Sequence, residues 1–310
     1  MTNQSNNLGI DISKRQLDFS FGKGLHRGSE ANNAHGHARI VTLCKQHPGL
    51  RVICEATGGY EKALVKALRK EGVEVHVVMP LKVKCLAIAQ GLMAKTDRID
   101  AEKLALFGEK VELKPHHMAS EHEEKLRELV ECRQHLSERL VQLAGRQENA
   151  GERMLKLLAD QRVQVEEHKK RIEEEIKECM GQNKQTEQKL MRMTQVKGVG
   201  MVVAASVLAF MPEIGSVSDK TASALVGLAP YPNQSGARDR ARRIMGGRHQ
   251  LRHVLFPAAL SAMCHNPILR AFNQRLKDNG KPGLVRVVAV MRKLICLLNK
   301  ICADPNFSLS

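Results

Sequence analysis

The chain has 310 residues, of which 43% are hydrophobic, and it carries 49 Lys and Arg against 33 Asp and Glu, a formal net charge of +16. This composition is that of a globular protein with room for two domains, and the charge favours a polyanionic partner, because Lys and Arg at phosphates release condensed counterions. Only 3% of the residues are aromatic and none is Trp, which disfavours a platform that stacks single-stranded bases.

The eight cysteines are scattered along the chain without a CxxC pair. This usage is typical of reduced thiols in a cytoplasmic protein and argues against a disulfide framework or a zinc ribbon. No apolar run approaches the length of a membrane span, and residues 1–7 lack the apolar segment of a signal peptide. We therefore expect a cytoplasmic protein without a membrane partner.

The first third of the chain alternates strand and helix signals. "NLGIDIS" and "RQLDFSFGKG" predict a β-hairpin, followed by a helix over 34–46 and the buried strand "LRVICEAT". A helix over 60–71, the strand "VEVHVVMP" and helical segments to about residue 110 complete the pattern. This order predicts an α/β domain with a mixed sheet.

Four carboxylates of this region are candidates for chemistry. Asp11 lies in the first strand, Glu55 ends the second buried strand, and Asp97 and Asp100 lie three apart at the start of a helix. Each has an ordinary alternative, as a strand-end carboxylate or as an acidic residue that complements the helix dipole. Together they match the oxygen ligands of two Mg²⁺ ions about 4 Å apart, a common device for displacement at a phosphodiester.

Residues 121–180 predict long charged helices. Leucines from Leu126 to Leu157 follow a three-four spacing, which Arg133 and Gln147 interrupt at core-type positions. Two antiparallel helices of one chain, or a dimerising coiled coil, would both explain the pattern.

The last third of the chain is helical and basic, with 19 Lys and Arg against 6 Asp and Glu in residues 181–310. "VKGVG", at 196–200, is either a tight turn between helices or a helix-hairpin-helix element that meets a DNA phosphate. "PYPNQSGARDRARR" places Ser235 on a loop among arginines, where it is either an ordinary loop serine or a nucleophile activated near a phosphate. His249 and His253 lack a third zinc ligand, so phosphate contact or helix packing is favoured for them.

Several motifs in order resemble one family. "GIDISK", "CEATGGY" and "KTDRIDA", followed by "VKGVGMVVAASVLAF", "ALVGLAPYPNQSG", "RIMGGRHQLRHVLFPAA" and "KPGLVRVVAVMRKL", are similar to the DEDD transposases of insertion sequence 110 type, which are related to Piv-type DNA invertases. The resemblance covers almost the whole chain. It implies an RNase H-like (RuvC-like) catalytic domain at 1–120, a helical coiled-coil segment at 121–185, and an all-α basic transposase domain with a serine loop at 186–310.

The resemblance also implies a mechanism and partners. Mg²⁺ would bind to Asp11, Glu55, Asp97 and Asp100, and Ser235 would form a covalent phosphoserine with DNA. The partners would be duplex DNA of the element ends and the target, a structured guide RNA called bridge RNA, and further copies of the chain in a dimer or tetramer at the bacterial nucleoid. The residues that we expect to contact nucleic acid are Lys197, Arg238, Arg240, Arg242, Arg243, Arg248 and Arg252.

Four alternatives remain open at the level of the sequence. A Piv-like DNA invertase would use the same residues for inversion, whereas a nuclease that resolves Holliday junctions would hydrolyse DNA without Ser235. A non-catalytic nucleic-acid-binding protein would not need the four carboxylates. An actin-like sugar kinase or ATPase also opens with a "GID" strand, but the absence of further Gly-rich phosphate loops argues against it.

Overall fold

The structure of the chain is a computed structural model. It describes residues 6–22, 26–56, 58–92, 97–113, 120–235 and 238–307. The side chains at 26, 97, 98, 232–235 and 238–242 also lie outside the described part. The chain divides into two compact units, Met1–Met118 and Ala119–Ser310.

The first unit is an α/β layer structure. Its strands are β1 Asn7–Ile12, β2 Gln16–Phe21, β3 His26–Ala31, β4 Arg51–Glu55 and β5 Glu74–Val78. Its helices are α1 Ala34–Lys45, α2 Lys62–Lys70, α3 Pro80–Ala89 and α4 Asp97–Lys110. These elements confirm the predicted α/β order.

The five strands form one mixed sheet in the order β3-β2-β1-β4-β5. β1 pairs antiparallel with β2, as the predicted hairpin requires, and parallel with β4, which in turn pairs parallel with β5. This topology is compatible with an RNase H-like domain. The edge strand β3, "HRGSEA", was not predicted, because an edge strand with charged residues lacks the apolar alternation that marks a buried strand.

Two hydrophobic clusters cover the two faces of the sheet. One joins Leu8 and Ile10 of β1 to Ile40 of α1 and Leu64 of α2. The cluster on the other side joins Ile53 of β4 to residues of α3 and α4, among them Val83, Leu104 and Phe107. β1 and β4 are thus sandwiched between helical layers, and their side chains alternate between the two.

The second unit begins with a helical hairpin and continues with shorter elements. The hairpin helices are α5 Glu121–Gln147 and α6 Glu152–Gly181. They are followed by α7 Lys184–Thr194, α8 Met201–Phe210, α9 Asp219–Val226, β6 Pro230–Ser235, β7 Arg238–Ile244, α10 His249–His265, α11 Pro267–Asp278 and α12 Gly283–Ala303.

The helices α5 and α6 pack against each other within the chain. Ser120 and Glu123 form a capping box at the start of α5, which fixes its first turn. Arg133, at a core-type position, donates to Glu173 of α6 with a distance of 2.9 Å from Nε to Oε1. Cys179 near the end of α6 lies 3.9 Å from His122 near the start of α5, so the two helices are antiparallel.

The base of this hairpin shares a core with the C-terminal helices. Leu126 and Ile176 belong to the same buried cluster as Phe210, Leu255 and Leu294. α12, predicted as a core helix, contributes eight buried residues to this unit. Its buried Asn299 accepts from Gly215 N and donates to Val217 O and Asp219 Oδ1, at 2.9 to 3.0 Å, which satisfies its amide.

The prediction of an all-α C-terminal domain was wrong in one place. β6 and β7 pair antiparallel, with Ser235 opposite Arg238 and Pro230 opposite Ile244. Prolines and consecutive arginines obscure the alternation by which a strand is recognised. The segment around Ser235 was predicted as a loop. It is instead a pair of antiparallel strands, of which the first ends at Ser235 and the second begins at Arg238.

All eight cysteines are free, and burial raises the pKa of Cys44 and of Cys54 to about 12. Both thiols are therefore protonated and unreactive at neutral pH. Within the described ranges, no helix combines the length and apolar character needed to cross a bilayer.

Candidate functional site

Helix α4 lies directly on strand β1 because β1 carries a glycine at the crossing. A Cβ on Gly9 would lie 2.0 Å from Ala101 O and 2.5 Å from Ala105 N. Farther along α4, a Cβ on Gly108 would lie 2.7 Å from Ile53 Cδ1 and 2.9 Å from Asn7 Oδ1. The helix thus runs opposite to β1, and its first turns lie toward the carboxyl end of the strand.

This orientation brings carboxylates of three elements to one end of the sheet. Ile10 pairs with Cys54 in the parallel register of β1 and β4, so the next residues, Asp11 and Glu55, lie side by side. Both lie two residues beyond the Gly9 and Ile53 positions and therefore point to the face that α4 covers. Asp100 lies one turn before Leu104, at the α4 end above them.

Glu55 lies within range of the charges of two other candidate carboxylates. Burial raises the pKa of Glu55 above its ordinary value, and the negative charges of Asp11 and Asp100 raise it further. The positive charge of Lys103 opposes them. Three of the four carboxylates predicted from the sequence therefore share one electrostatic environment.

Two further charged residues of this site were not predicted. Asp18 of β2 is 9% exposed and pairs in register with Asp11, and Gln16 Nε2 donates to both of its carboxylate oxygens at 3.0 and 2.9 Å. Lys103 of α4 lies with Nζ 2.7 Å from Asp100 Oδ1. The alternation of "QLDFSF" and the helical spacing of Asp100 and Lys103 were the signals that could have found them.

The donor set suits a hard divalent cation. Like charges directly opposite on neighbouring strands, as at Asp11 and Asp18, are destabilising unless a cation lies near. Carboxylate oxygens are the ligands that Mg²⁺ prefers. In the described part of the chain, however, no three Asp, Glu, His or Cys side chains are close enough together to form a metal site. The side chain of Asp97, the remaining predicted ligand, lies outside that part.

The predicted nucleophile lies in the second unit. Ser235 is the last residue of β6, and its backbone is in register with Arg238 of β7. The side chains of Ser235, Arg238, Arg240 and Arg242 lie outside the described residues. Arg243, in register with Tyr231, is exposed.

Arg248 and Arg252, predicted to contact nucleic acid, hold the protein's own backbone and side chains. Arg248 donates to Glu213 through both terminal nitrogens, at 2.8 and 2.6 Å, and to Phe210 O at 2.9 Å. Arg252 donates to Val226 O at 2.9 Å and to Gly246 O. Both guanidinium groups therefore fix the segment that follows β7, a function that sequence reasoning missed.

The "VKGVG" turn leads into the N-terminus of α8. Gly198 has φ +99°, and a Cβ there would lie 2.7 Å from Ala262 of α10, so this position requires glycine. Gly200 is the N-cap residue of α8 and provides no side-chain acceptor, while Lys197 is exposed. The first amides of α8 and the Lys197 ammonium are groups that bind anions.

His249 and His253 are both exposed at the start of α10. This exposure leaves them accessible to a phosphate and gives them no part in the core.

The comparisons with known proteins cover both units. Residues 8–158 match a transposase family model of the DEDD IS110 type, and residues 190–274 match the model of the transposase IS116/IS110/IS902 family. Two relatives, the pilin gene-inverting proteins of Moraxella lacunata and Moraxella bovis, are each 26% identical over 300 residues, which is 94% of this chain and 93% of the relative. The matched ranges include all four predicted carboxylates and Ser235.

Proposed function

This chain is a DNA recombinase that belongs to the IS110-type transposase family, and from that premise we propose that it cuts and rejoins DNA with a Mg²⁺-dependent carboxylate site and a serine nucleophile. The observation that carries the proposal is the register of β1 and β4, which places Asp11 and Glu55 side by side at the strand ends toward which the first turns of α4, with Asp100, lie. Such convergence of like charges is typical of catalytic sites.

The carboxylates of the first unit are the proposed metal ligands. Asp11, Glu55, Asp97 and Asp100 would hold Mg²⁺, which supplies activation of the attacking hydroxyl and stabilisation of the leaving oxygen. Gln16 fixes Asp18 beside Asp11, and the close packing of α4 on Gly9 keeps the helix start above the strand ends. These contacts would keep the described carboxylates at one end of the sheet before the ion binds.

Ser235 is the nucleophile in the proposal. Its Oγ forms a bond to a DNA phosphorus, the proton of its hydroxyl leaves, and the displaced DNA oxygen departs as a hydroxyl. Attack by a DNA hydroxyl on the phosphoserine then restores the serine and makes the new DNA phosphodiester. Because each step exchanges one phosphate ester for another, strands are rejoined without an external energy source.

The proposed partners are duplex DNA of element ends and target, a structured guide RNA, and further copies of this chain. In the proposal, Lys197 and the arginines of β7 contact phosphates, whereas Arg248 and Arg252 fix the segment that follows β7. A dimer or tetramer would use the outer part of the α5–α6 hairpin, where Val141, Met154 and Leu157 are exposed. We place the protein at the nucleoid, in the bacterial cytoplasm, because its substrate is DNA.

A second candidate function is DNA inversion. Both named relatives are gene-inverting proteins, and they match this chain over almost its full length. The two functions share the chemistry and differ in the arrangement of the DNA sites. Sequencing of the recombination products distinguishes them: an inverted segment between flanking sites supports inversion, and a newly inserted element supports transposition.

Trapping of a covalent adduct tests the serine step. The full chain is incubated with its DNA and Mg²⁺, denatured, and analysed for protein joined to DNA. We expect Ser235→Ala to abolish the adduct, and Asp100→Asn to reduce it at least a hundredfold. Ser261→Ala, at an exposed serine of α10, is the matched control and should retain it. Cleavage without an adduct in both Ser235→Ala and the wild type would favour a hydrolytic nuclease that resolves Holliday junctions.

A further inference from the structure

A lysine lies among the acidic residues of the candidate site. The side chain of Lys103 is only 12% exposed, and its Nζ is 2.7 Å from Asp100 Oδ1. Lysine normally keeps its ammonium in water, since burial of the charge costs free energy unless an opposite charge lies near. The position of Lys103 is therefore explained by the carboxylates around it.

The charges around Lys103 are mostly negative. Asp11 and Asp100 raise the pKa of Glu55, and Lys103 lowers it, so the ammonium acts on Glu55 as well as on Asp100. Asp18 adds a fourth carboxylate in register with Asp11. One cation thus offsets part of the charge of a group that, by the proposed function, binds Mg²⁺.

We propose that Lys103 is the internal counterion of the metal-free carboxylate site and that it competes with Mg²⁺ for Asp100. The inference rests on the proposed metal site. Mg²⁺ binds through carboxylate oxygens, so an ion held by Asp100 would share that carboxylate with the Lys103 ammonium, which lies 2.7 Å from Oδ1. Two cations beside one carboxylate repel each other, which lowers the affinity of the free protein for the metal.

This competition gives Lys103 two effects of opposite sign. In the absence of metal it stabilises the first unit by reducing repulsion among the carboxylates. In the presence of metal it weakens binding, so that the free protein holds Mg²⁺ loosely. A DNA phosphate supplies additional oxygen ligands to the ion, and tight metal binding therefore follows DNA binding.

Metal titration of the full chain tests the proposal. MgCl₂ is titrated calorimetrically into the wild type, Lys103→Met, Lys103→Arg and Lys110→Met. We expect Lys103→Met to bind Mg²⁺ at least tenfold more tightly than the wild type. Lys103→Arg keeps the charge, and Lys110→Met removes an exposed charge at the other end of α4, so both should stay within twofold of the wild type. In EDTA, Lys103→Met should unfold at a lower temperature, and Mg²⁺ should reverse this loss.

Two results would overturn the competition. Equal Mg²⁺ affinity in Lys103→Met and the wild type would show that the ammonium does not oppose the metal, and weaker binding would show that it only maintains the shape of the site. Lys103→Gln, which retains a hydrogen-bond donor without the charge, replaces Lys103→Met if that variant does not fold. Failure of the proposed metal site is a separate result: Asp11→Asn would then bind Mg²⁺ as the wild type does.

Discussion

The pKa of Glu55 depends on the burial of its carboxyl group and on the charges around it. Its pKa is raised by burial and by Asp11 and Asp100, so ionisation costs more in the folded protein than in the unfolded chain. This free-energy cost destabilises the folded protein at pH values above the pKa that Glu55 has in the folded state. It disappears as the pH falls below 4.5, the ordinary pKa of the group. In metal-free protein Glu55 is therefore a source of instability at neutral pH.

Glu55→Gln should raise the melting temperature of the protein in EDTA at pH 7, because it removes a carboxylate that is repelled by its neighbours. The gain should shrink as the pH is lowered toward the ordinary glutamate pKa of 4.5, because Glu55, with its raised pKa, takes up a proton before an ordinary glutamate does. Glu109→Gln, at an exposed position of α4, should change the melting temperature little at either pH. A lower melting temperature for Glu55→Gln at pH 7 would contradict the like-charge explanation.

Gly9→Ala should destabilise the first unit by about 3 kcal/mol, since overpacking of a tight contact forces the backbone to move. The new Cβ would clash with backbone atoms of α4, and the backbone cannot relieve a clash by changing rotamer as a side chain can. The free energy of unfolding from urea titration measures the effect. Gly145→Ala in α5, where a Cβ meets nothing within 4 Å, is the control and should stabilise by up to about 1 kcal/mol.

Among the elements, those with a strong local pattern were predictable. β1 and β2 alternate apolar and polar residues around a short turn, so their hairpin follows from local rules. The apolar spacing of α5 and α6 predicts two long helices, but it does not decide whether they pair within one chain or between two. β3, β6 and β7 have no such pattern. β3 exists because the exposed edge of β2 pairs with it, a tertiary effect that periodicity does not contain.

Part of the candidate site could be predicted from the positions at which the buried strands end. Asp11 and Glu55 follow apolar runs, and parallel strands carry such residues to the same edge of a sheet. Asp18 and Lys103 were missed because their roles depend on the register of β2 and on the face that α4 presents to the sheet. The close approach of α4 to Gly9 determines the second of these features, and it joins residues far apart in sequence.

We predict that Arg248 stabilises the fold and that Arg243 contacts DNA. Arg248→Ala should cost about 2 kcal/mol of unfolding free energy, because it removes a bidentate charged pair with Glu213 and a bond to Phe210 O. Arg243→Ala, at an exposed position five residues earlier, should leave stability unchanged and weaken DNA binding. Urea unfolding and DNA binding, measured on both variants, check this division. Equal stability of the two variants would contradict it.

At the scale of the whole molecule, positive charge is concentrated in residues 181–310. We expect the affinity for duplex DNA to fall linearly with salt on a log–log plot, with a slope of about −0.9 for each phosphate contacted. The test variant replaces with alanine Arg238, Arg240, Arg242 and Arg243. Its slope should be smaller by about 3 to 4 than that of the wild type.

The matched control for this measurement removes the same charge from the helical hairpin. It replaces with alanine Arg153, Lys156, Lys170 and Arg171, all of which are exposed on α6. Its slope should remain near that of the wild type. If the slope of affinity against salt concentration decreases equally in both variants, net charge rather than the β6–β7 hairpin determines the contact with DNA.

The buried cluster that joins Leu126 of α5 to Leu298 and Ile301 of α12 also has a consequence for synthesis on the ribosome. Domains generally fold in the order in which they emerge. The first unit is complete once α4 has emerged, whereas the second unit keeps its apolar surfaces open until α12 has been translated. A nascent chain that lacks α12 therefore presents a folded first unit attached to an unfinished second one.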